Sequence, residues 1–248
     1  MAEPWNFTPT QWSEVLSGQE TAATAADKLK AGNFLPWTSK LFELTADVRE
    51  ILDLGSGRGE NAAALALKGK KTTLLDWSQE NLDFSSGLYE TLSLKGTFQR
   101  ADMTQKLPFA DGSFDVVYSC GVFEYFNDQV IRGILKEAFR VARKRVIVMV
   151  PNALCVPYRA GMKYLQIKNK WPWGGERPFV SLKSQFASAD NGPFREYSVG
   201  FRHSLDFLVF PGGGKIRRAL TALMDLKHHS KPAFLRQGYL LIAEGDKR

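Results

Sequence analysis

Cysteine is nearly absent from this chain of 248 residues; Cys120 and Cys155 are the only two, and they form no Cys-x-x-Cys pair. That scarcity argues against a disulfide framework or a thiolate metal centre, and a cytoplasmic protein without a metal is expected. No segment reaches the roughly 20 consecutive apolar residues that a membrane span requires. The opening Met-Ala-Glu-Pro-Trp has neither the basic nor the apolar region of a secretory signal. Internal repeats, low-complexity tracts and flexible linkers are also missing.

What is present suits one packed domain. Apolar residues make up 44% of the chain, enough to bury a sizeable core at this length. Short β-branched and leucine-rich runs alternate with amphipathic stretches, which predicts a parallel sheet with helices on both faces. Strands are expected near 50–54, 72–76, 97–100, 115–119, 145–150, 195–201 and 237–244. Helices are expected near 10–17, 20–46, 60–69, 79–92, 129–143 and 215–226. On this reading residues 1–48 are N-terminal helices and 49–151 a ligand-binding core. An insertion follows at about 152–194, and 195–248 closes the sheet.

The most informative segment is Ile51-Leu-Asp-Leu-Gly-Ser-Gly-Arg-Gly-Glu-Asn61. It reads as a buried strand, a loop with Gly55, Gly57 and Gly59, and the start of an alanine-rich helix. Glycine tolerates positive φ and lets a ligand approach the backbone, so such a turn is a cofactor cradle. A dinucleotide fingerprint would place its third glycine at position 60, which is Glu60. No Gly-Lys-Ser/Thr follows, so a phosphate loop is excluded as well. About twenty residues on, Lys71-Thr-Thr-Leu-Leu-Asp76 ends a second strand in an acid, a placement suited to gripping ribose hydroxyls.

Asp-Leu-Gly-Ser-Gly-Arg-Gly resembles the first motif of the class I S-adenosylmethionine (SAM)-dependent methyltransferases. Asp102 and Met103 match the positions after the third strand that, in that family, meet the adenine amino group and ring. Pro108-Phe-Ala-Asp-Gly-Ser-Phe-Asp115 resembles a turn frequent in the branch related to quinone-biosynthesis enzymes. Cys120-Gly-Val-Phe-Glu-Tyr-Phe126 resembles the family's Gly-Val-Leu-Glu-His segment, with Tyr125 in place of the usual His. The resemblance covers about residues 49–152 and implies a doubly wound, Rossmann-like sheet of seven strands, mostly parallel, with an antiparallel last strand. It implies SAM as cofactor, with Asp53, Gly55, Ser56, Gly57, Gly59, Asp76, Trp77, Asp102, Met103, Ser119 and Gly121 around it. Asp53 would answer the positive charge of a cofactor that carries a sulfonium and an amino group.

Charge gives the best sequence clue to the acceptor. Counted along the sequence, residues 1–150 carry 17 basic and 19 acidic side chains, whereas residues 151–218 carry 11 and 4. The net +7 of the chain therefore arises after the fifth strand. Connections as long as 152–194 inside a compact domain are usually functional lids. Its mixture of cations with Trp, Tyr and Phe suggests a cover over the carboxyl edge of the sheet, carrying Arg159, Arg177 and, just beyond it, Arg195 toward an anionic group. Stacking on RNA is the competing reading of such a mixture. No dense basic run and no Asn/Asp-Pro-Pro-Tyr or Pro-Cys signature of base methyltransferases occurs; Pro151-Asn152 is the nearest approach.

The expected function is methyl transfer to oxygen or nitrogen of a small, possibly anionic metabolite. An RNA, protein or peptide acceptor, or SAM binding without catalysis, are the alternatives. The sequence leaves oligomeric state open. In-line alignment of acceptor and methyl supplies much of such a reaction, and a proton must still leave the acceptor. His203, Tyr125 and Glu124 are the candidates to assist it. Trp12 and Trp37 are candidates to close the cofactor pocket, and His228-His229 read as the end of a helix.

Overall fold

The computed structural model describes residues 20–189, 192–226 and 237–247. The expected helix near 10–17, Trp12 and His228-His229 lie outside the described residues. Seven strands form one sheet: β1 (Glu50–Leu54), β2 (Lys71–Asp76), β3 (Thr97–Arg100), β4 (Phe114–Cys120), β5 (Ala142–Pro151), β6 (Phe194–Val199) and β7 (Leu240–Asp246). Their spatial order is β3-β2-β1-β4-β5-β7-β6. Every pairing from β3 through β5 is parallel, while β7 runs antiparallel to both β5 and β6. The expected doubly wound sheet with an antiparallel last strand is therefore observed.

The helices are α1 (Ala22–Lys30), α2 (Pro36–Leu44), α3 (Glu60–Leu67), α4 (Gln79–Thr91), α5 (Asp128–Val141), α6 (Val156–Ile167), α7 (Lys183–Ala187), α8 (Phe201–Ser204) and α9 (Gly213–Leu226). The single helix expected over 20–46 is two. Gly32 adopts φ 73° just past α1, and Pro36 opens α2, so the helical run stops and restarts at those residues. Side-chain caps begin α1, α4 and α5: Thr21, Ser78 and Asn127 each accept from a backbone N–H three residues on.

Alternation along the strands builds two hydrophobic layers. Leu52, Leu54, Val117, Val146 and Val148 face α5, packing on Ile131, Ile134, Leu135 and Phe139. Ile51, Val116, Tyr118, Ile147, Met149 and Ile242 face the other way, onto Trp37, Leu41 and Leu65. Leu74 of β2 packs with α1, α3 and α4. The strand order reverses between β1 and β4, and in open α/β sheets that switch point opens a crevice at the carboxyl edge.

The segment after β5 is tied to that edge. Phe179 bridges Asn152: the Phe179 N–H donates to Pro151 O at 2.8 Å, and the Ala153 N–H donates to Phe179 O at 2.8 Å. Helix α6 buries Tyr158 and Met162 beside Phe207 and Tyr239. Gly161 is needed there, since a Cβ would lie 2.0 Å from the carbonyl oxygen of Phe207.

Gly59 caps α3 from the left-handed region, φ 73°. A Cβ there would sit 2.5 Å from Leu74 Cδ2 and 2.7 Å from Ser85 Oγ. The third glycine thus packs helix against strand, the task its counterpart performs one residue later in the dinucleotide fingerprint. Gly59→Ala is expected to cost about 2–4 kcal/mol, joining a left-handed backbone penalty to overpacking. Urea unfolding measures this, and a loss under about 1 kcal/mol would mean that Leu74 and Ser85 yield freely.

Candidate cofactor and acceptor site

A cavity of about 340 Å³ opens at the switch point. The glycine loop supplies one wall through Gly55, Ser56 and Gly57. Asp76 and Trp77 stand at the end of β2, Asp102 and Met103 follow β3, and Gly121 follows β4. Eight of the expected cofactor residues are therefore brought together from four separate turns.

Their geometry is that of a prepared site. The Gly57 N–H donates to Asp76 Oδ2 at 2.8 Å, and the Ser78 N–H donates to Asp76 Oδ1 at 2.9 Å. Asp76 is 6% exposed, and burial raises its pKa against the pull of those donors. The Asn81 side chain and the Trp77 backbone N–H also donate to it, so the carboxylate is held in one orientation. Thr104 donates from its N–H and its hydroxyl to Asp102 Oδ1, both at 2.8 Å, which leaves Oδ2 for an adenine amino group. Gly55 is constrained as well, for a Cβ would stand 2.9 Å from Val122.

Three expected cofactor residues support the site without forming its wall. Asp53 pairs across the strands with Tyr118, so both side chains share a face, and the Tyr118 hydroxyl donates to Asp53 Oδ2 at 2.5 Å. Burial pushes the Asp53 carboxyl up to about 7. Ser119 points to the opposite face of β4 from Cys120, is 2% exposed and has no hydrogen-bond partner at Oγ. Gly59 lies beneath the loop, as described above.

Among the proposed catalytic residues, Glu124 and Tyr125 line the cavity and His203 does not. His203 packs edge-on against Trp37, with ring centroids 5.0 Å apart, and lies 5.6 Å from the Tyr239 ring. Burial lowers its pKa, and Asp206 is 3.9 Å away. Trp37 is likewise core packing rather than a wall of the pocket.

The three arginines expected at an anion do not reach the cavity. Arg195 sits on β6 opposite Glu244, bonded to it at 2.8 Å and to Asp246 at 3.4 Å, toward the amino edge of the sheet. Arg177 donates to Asp128 at 2.8 Å and to the Phe126 carbonyl at 3.1 Å, with its guanidinium over the Phe179 ring. Arg159 lies on the solvent side of α6, its guanidinium 3.4 Å from the Ala153 carbonyl. The buried side of that helix is taken by Tyr158 and Met162, so Arg159 is directed outward.

Sequence reasoning missed Trp173, Glu176 and Tyr239, which complete the wall. Backbone pairing brings Glu176 in. The Arg177 N–H donates to the Glu124 carbonyl at 3.0 Å while Phe179 bridges β5, so Glu176 is carried alongside Glu124. Tyr239 arrives because β7 begins beside Pro151, at the carboxyl edge. An isolated glutamate and tyrosine in unpatterned stretches carry no local signal of this meeting.

Residues 51–145 match the family model described as a methyltransferase domain. The chain therefore contains a methyltransferase domain. No curated protein matches it in sequence, but solved structures share its fold. One is a SAM-dependent methyltransferase of Thermotoga maritima described as a possible histamine N-methyltransferase: 18% identity, TM-score 0.54, covering 92% of this chain and 89% of that one. Another is geranyl diphosphate C-methyltransferase of Streptomyces coelicolor A3(2), solved with Mg2+, geranyl diphosphate and S-adenosyl-L-homocysteine. It is 13% identical, with TM-score 0.58 over 86% of this chain and 78% of that one. A SAM-dependent methyltransferase of Archaeoglobus fulgidus is 13% identical, with TM-score 0.56 over 85% and 92% of the two chains.

Electrostatics of this methyltransferase are dominated by buried acids. Glu124 is raised well above the usual carboxylate range by burial and by the neighbouring Glu176. Glu176 is itself pushed up to about 7 by burial, opposed by hydrogen bonds from Tyr158 and Tyr125. A carboxyl group whose folded pKa exceeds its unfolded value favours the folded state when protonated. Its contribution is full below about pH 4 and is lost as pH rises toward 7. For Asp53, the shift from 3.8 to about 7 corresponds to about 4 kcal/mol across that window. Asp53→Asn, a neutral substitute that still accepts from Tyr118, is expected to flatten part of the fall in ligand-free stability between pH 4 and 7. Glu124 and Glu176 will keep the remainder. Denaturant unfolding across that range reads this, and an unchanged pH slope would place the Asp53 proton elsewhere.

Proposed function

We propose that this methyltransferase acts on a small molecule, transferring the methyl group to nitrogen or oxygen within the cavity at the β1–β4 switch point. One observation carries the reading: the acids suited to ribose and adenine, Asp76 and Asp102, share a single cavity with Glu124, Tyr125 and Glu176. A cavity of about 340 Å³ is on the scale of small-ligand clefts. The quinone-related branch is an expectation of the sequence alone; the family match is to methyltransferase domains in general. The free thiols of Cys120 and Cys155 accord with a cytoplasmic setting.

SAM, when bound, supplies a methyl group on a sulfonium that needs no further activation. The chain's part is to hold, orient and dry the reactants. Asp76 holds the ribose hydroxyls, kept in place by the Gly57 and Ser78 N–H groups. Asp102 takes the adenine amino group, with Met103 against the ring. The positive-φ glycines let the ligand approach the loop backbone, where a side chain at Gly55 would collide with Val122. Trp173, Tyr239 and Phe126 exclude water around the acceptor. Residues of the 152–194 segment act as a cover that determines acceptor choice, and this domain carries both ligands.

Asp76→Ala is expected to weaken binding of SAM and of S-adenosylhomocysteine by about 1–3 kcal/mol, having lost charge-assisted bonds to two hydroxyls. NAD and ATP are not expected to compete. Titration calorimetry measures each affinity. Unchanged affinity in the variant would remove Asp76 from the site, and comparable NAD binding would overturn the cofactor assignment.

A further inference from the structure

Among the described residues, six charged side chains border the cavity: Arg58 is the single cation, against Glu60, Asp76, Asp102, Glu124 and Glu176. Arg58 is engaged elsewhere, with its guanidinium 3.6 Å from the Phe84 ring centroid and a hydrogen bond to the Glu20 carbonyl. Asp76 and Asp102 belong to the cofactor end, and so does Glu60, the first residue of α3 after the glycine loop, which lies 3.9 Å from Arg58. That leaves Glu124 and Glu176 as the charge at the acceptor end, where the sequence had suggested an anion partner.

Both are deeply buried, Glu124 at 3% and Glu176 at 7% exposure. Glu176 accepts from the hydroxyls of Tyr158 and Tyr125, which fix its orientation. Glu124 differs: it lines the cavity, and its buried Oε2 has no hydrogen-bond partner. A buried acid left unpaired is costly, and a ligand cation would offset that cost. Around the two carboxyls stand the rings of Trp173, Tyr125, Phe126 and Tyr239, and aromatic faces attract cations, all the more so when both are desolvated. Basic surface residues, by contrast, lie outside the cavity or are paired.

We propose that the acceptor is a cationic amine, seated between Glu124 and Glu176 and against the rings of Trp173 and Tyr239, and that the methyl group goes to its nitrogen. This rests on the reading of the cavity as the methyl-transfer site. An anionic or neutral acceptor would leave both acids protonated, whereas a cationic amine would draw them into the carboxylate form. The balance of the step suits the pair. An ammonium nitrogen has no lone pair, so one N–H proton passes to the Glu124 carboxylate before transfer. The amine lone pair then forms the new C–N bond as the methyl carbon–sulfur bond breaks and its electron pair stays on sulfur. The nitrogen ends as an N-methylammonium, the sulfur as a neutral thioether, and the proton on Glu124 returns to water.

The test titrates benzylammonium and benzoate, matched in size and opposite in charge, into the full chain saturated with S-adenosylhomocysteine. Benzylammonium is expected to bind and benzoate not. Glu124→Gln and Glu176→Gln are each expected to weaken benzylammonium by about tenfold or more while S-adenosylhomocysteine affinity shifts less than about threefold. Trp173→Leu, on the covering segment, should weaken benzylammonium as well, and it serves if the glutamine variants fail to fold. The proposal fails if benzoate binds as well as benzylammonium, if benzylammonium does not bind, or if the variants bind it like the parent. It also fails if S-adenosylhomocysteine affinity falls in step, because the carboxyls would then serve the cofactor. Failure of the parent protein to bind S-adenosylhomocysteine at all would instead overturn the cofactor reading beneath it.

Discussion

Two backbone N–H groups, from Gly57 and Ser78, converge on the carboxylate of Asp76, and much of the site depends on that meeting. It joins the loop after β1 to the start of α4 after β2, so two separate strand-to-helix turns share one rigid acid. The loop can reach Asp76 because Gly55, Gly57 and Gly59 all adopt positive φ, which side chains with a Cβ rarely tolerate. Gly59 then seats α3 directly on Leu74, one residue before Leu75 enters the cavity wall. A backbone conformation available to glycine thus sets helix packing and ligand access together.

Charge is divided between surface and cavity in opposite senses. The chain is basic overall, and its excess arises after β5, yet five of the six charged residues at the cavity, among those described, are acids. The basic residues singled out from sequence serve architecture instead. Arg195 braces β6 to Glu244 of β7, and Arg177 ties the returning segment to Asp128 and Phe126. Bracing by Arg177 is what delivers its neighbour Glu176 to the interior. The covering segment therefore brings the opposite charge to the site from the one its composition advertises.

The cofactor half of the site was legible because its residues lie in compact local patterns. Strand, glycine turn and helix occupy 51–67, and the acids Asp76 and Asp102 each end or follow a strand at a regular interval. Such patterns express local requirements, namely φ at a turn and a carboxylate at a strand end. Even there, the partner of Asp53 was not legible, since only the register with Tyr118 shows which face its carboxyl takes. The break at Gly32 and Pro36 shows local chemistry overruling a long apparent helix.

By itself the sequence determined the α/β alternation, the glycine turn, the placing of Asp76 and Asp102 after their strands and the methyltransferase domain, because each depends on neighbours a few residues apart or on strand periodicity. Only the tertiary structure decided the acceptor end. Glu124, Trp173, Glu176 and Tyr239 meet there because 177–179 pairs with the end of β5 and Glu124, while β7 runs back antiparallel from the same edge. Composition weighs a surface arginine and a buried glutamate equally. Burial does not, and it is burial that makes the glutamates chemically consequential.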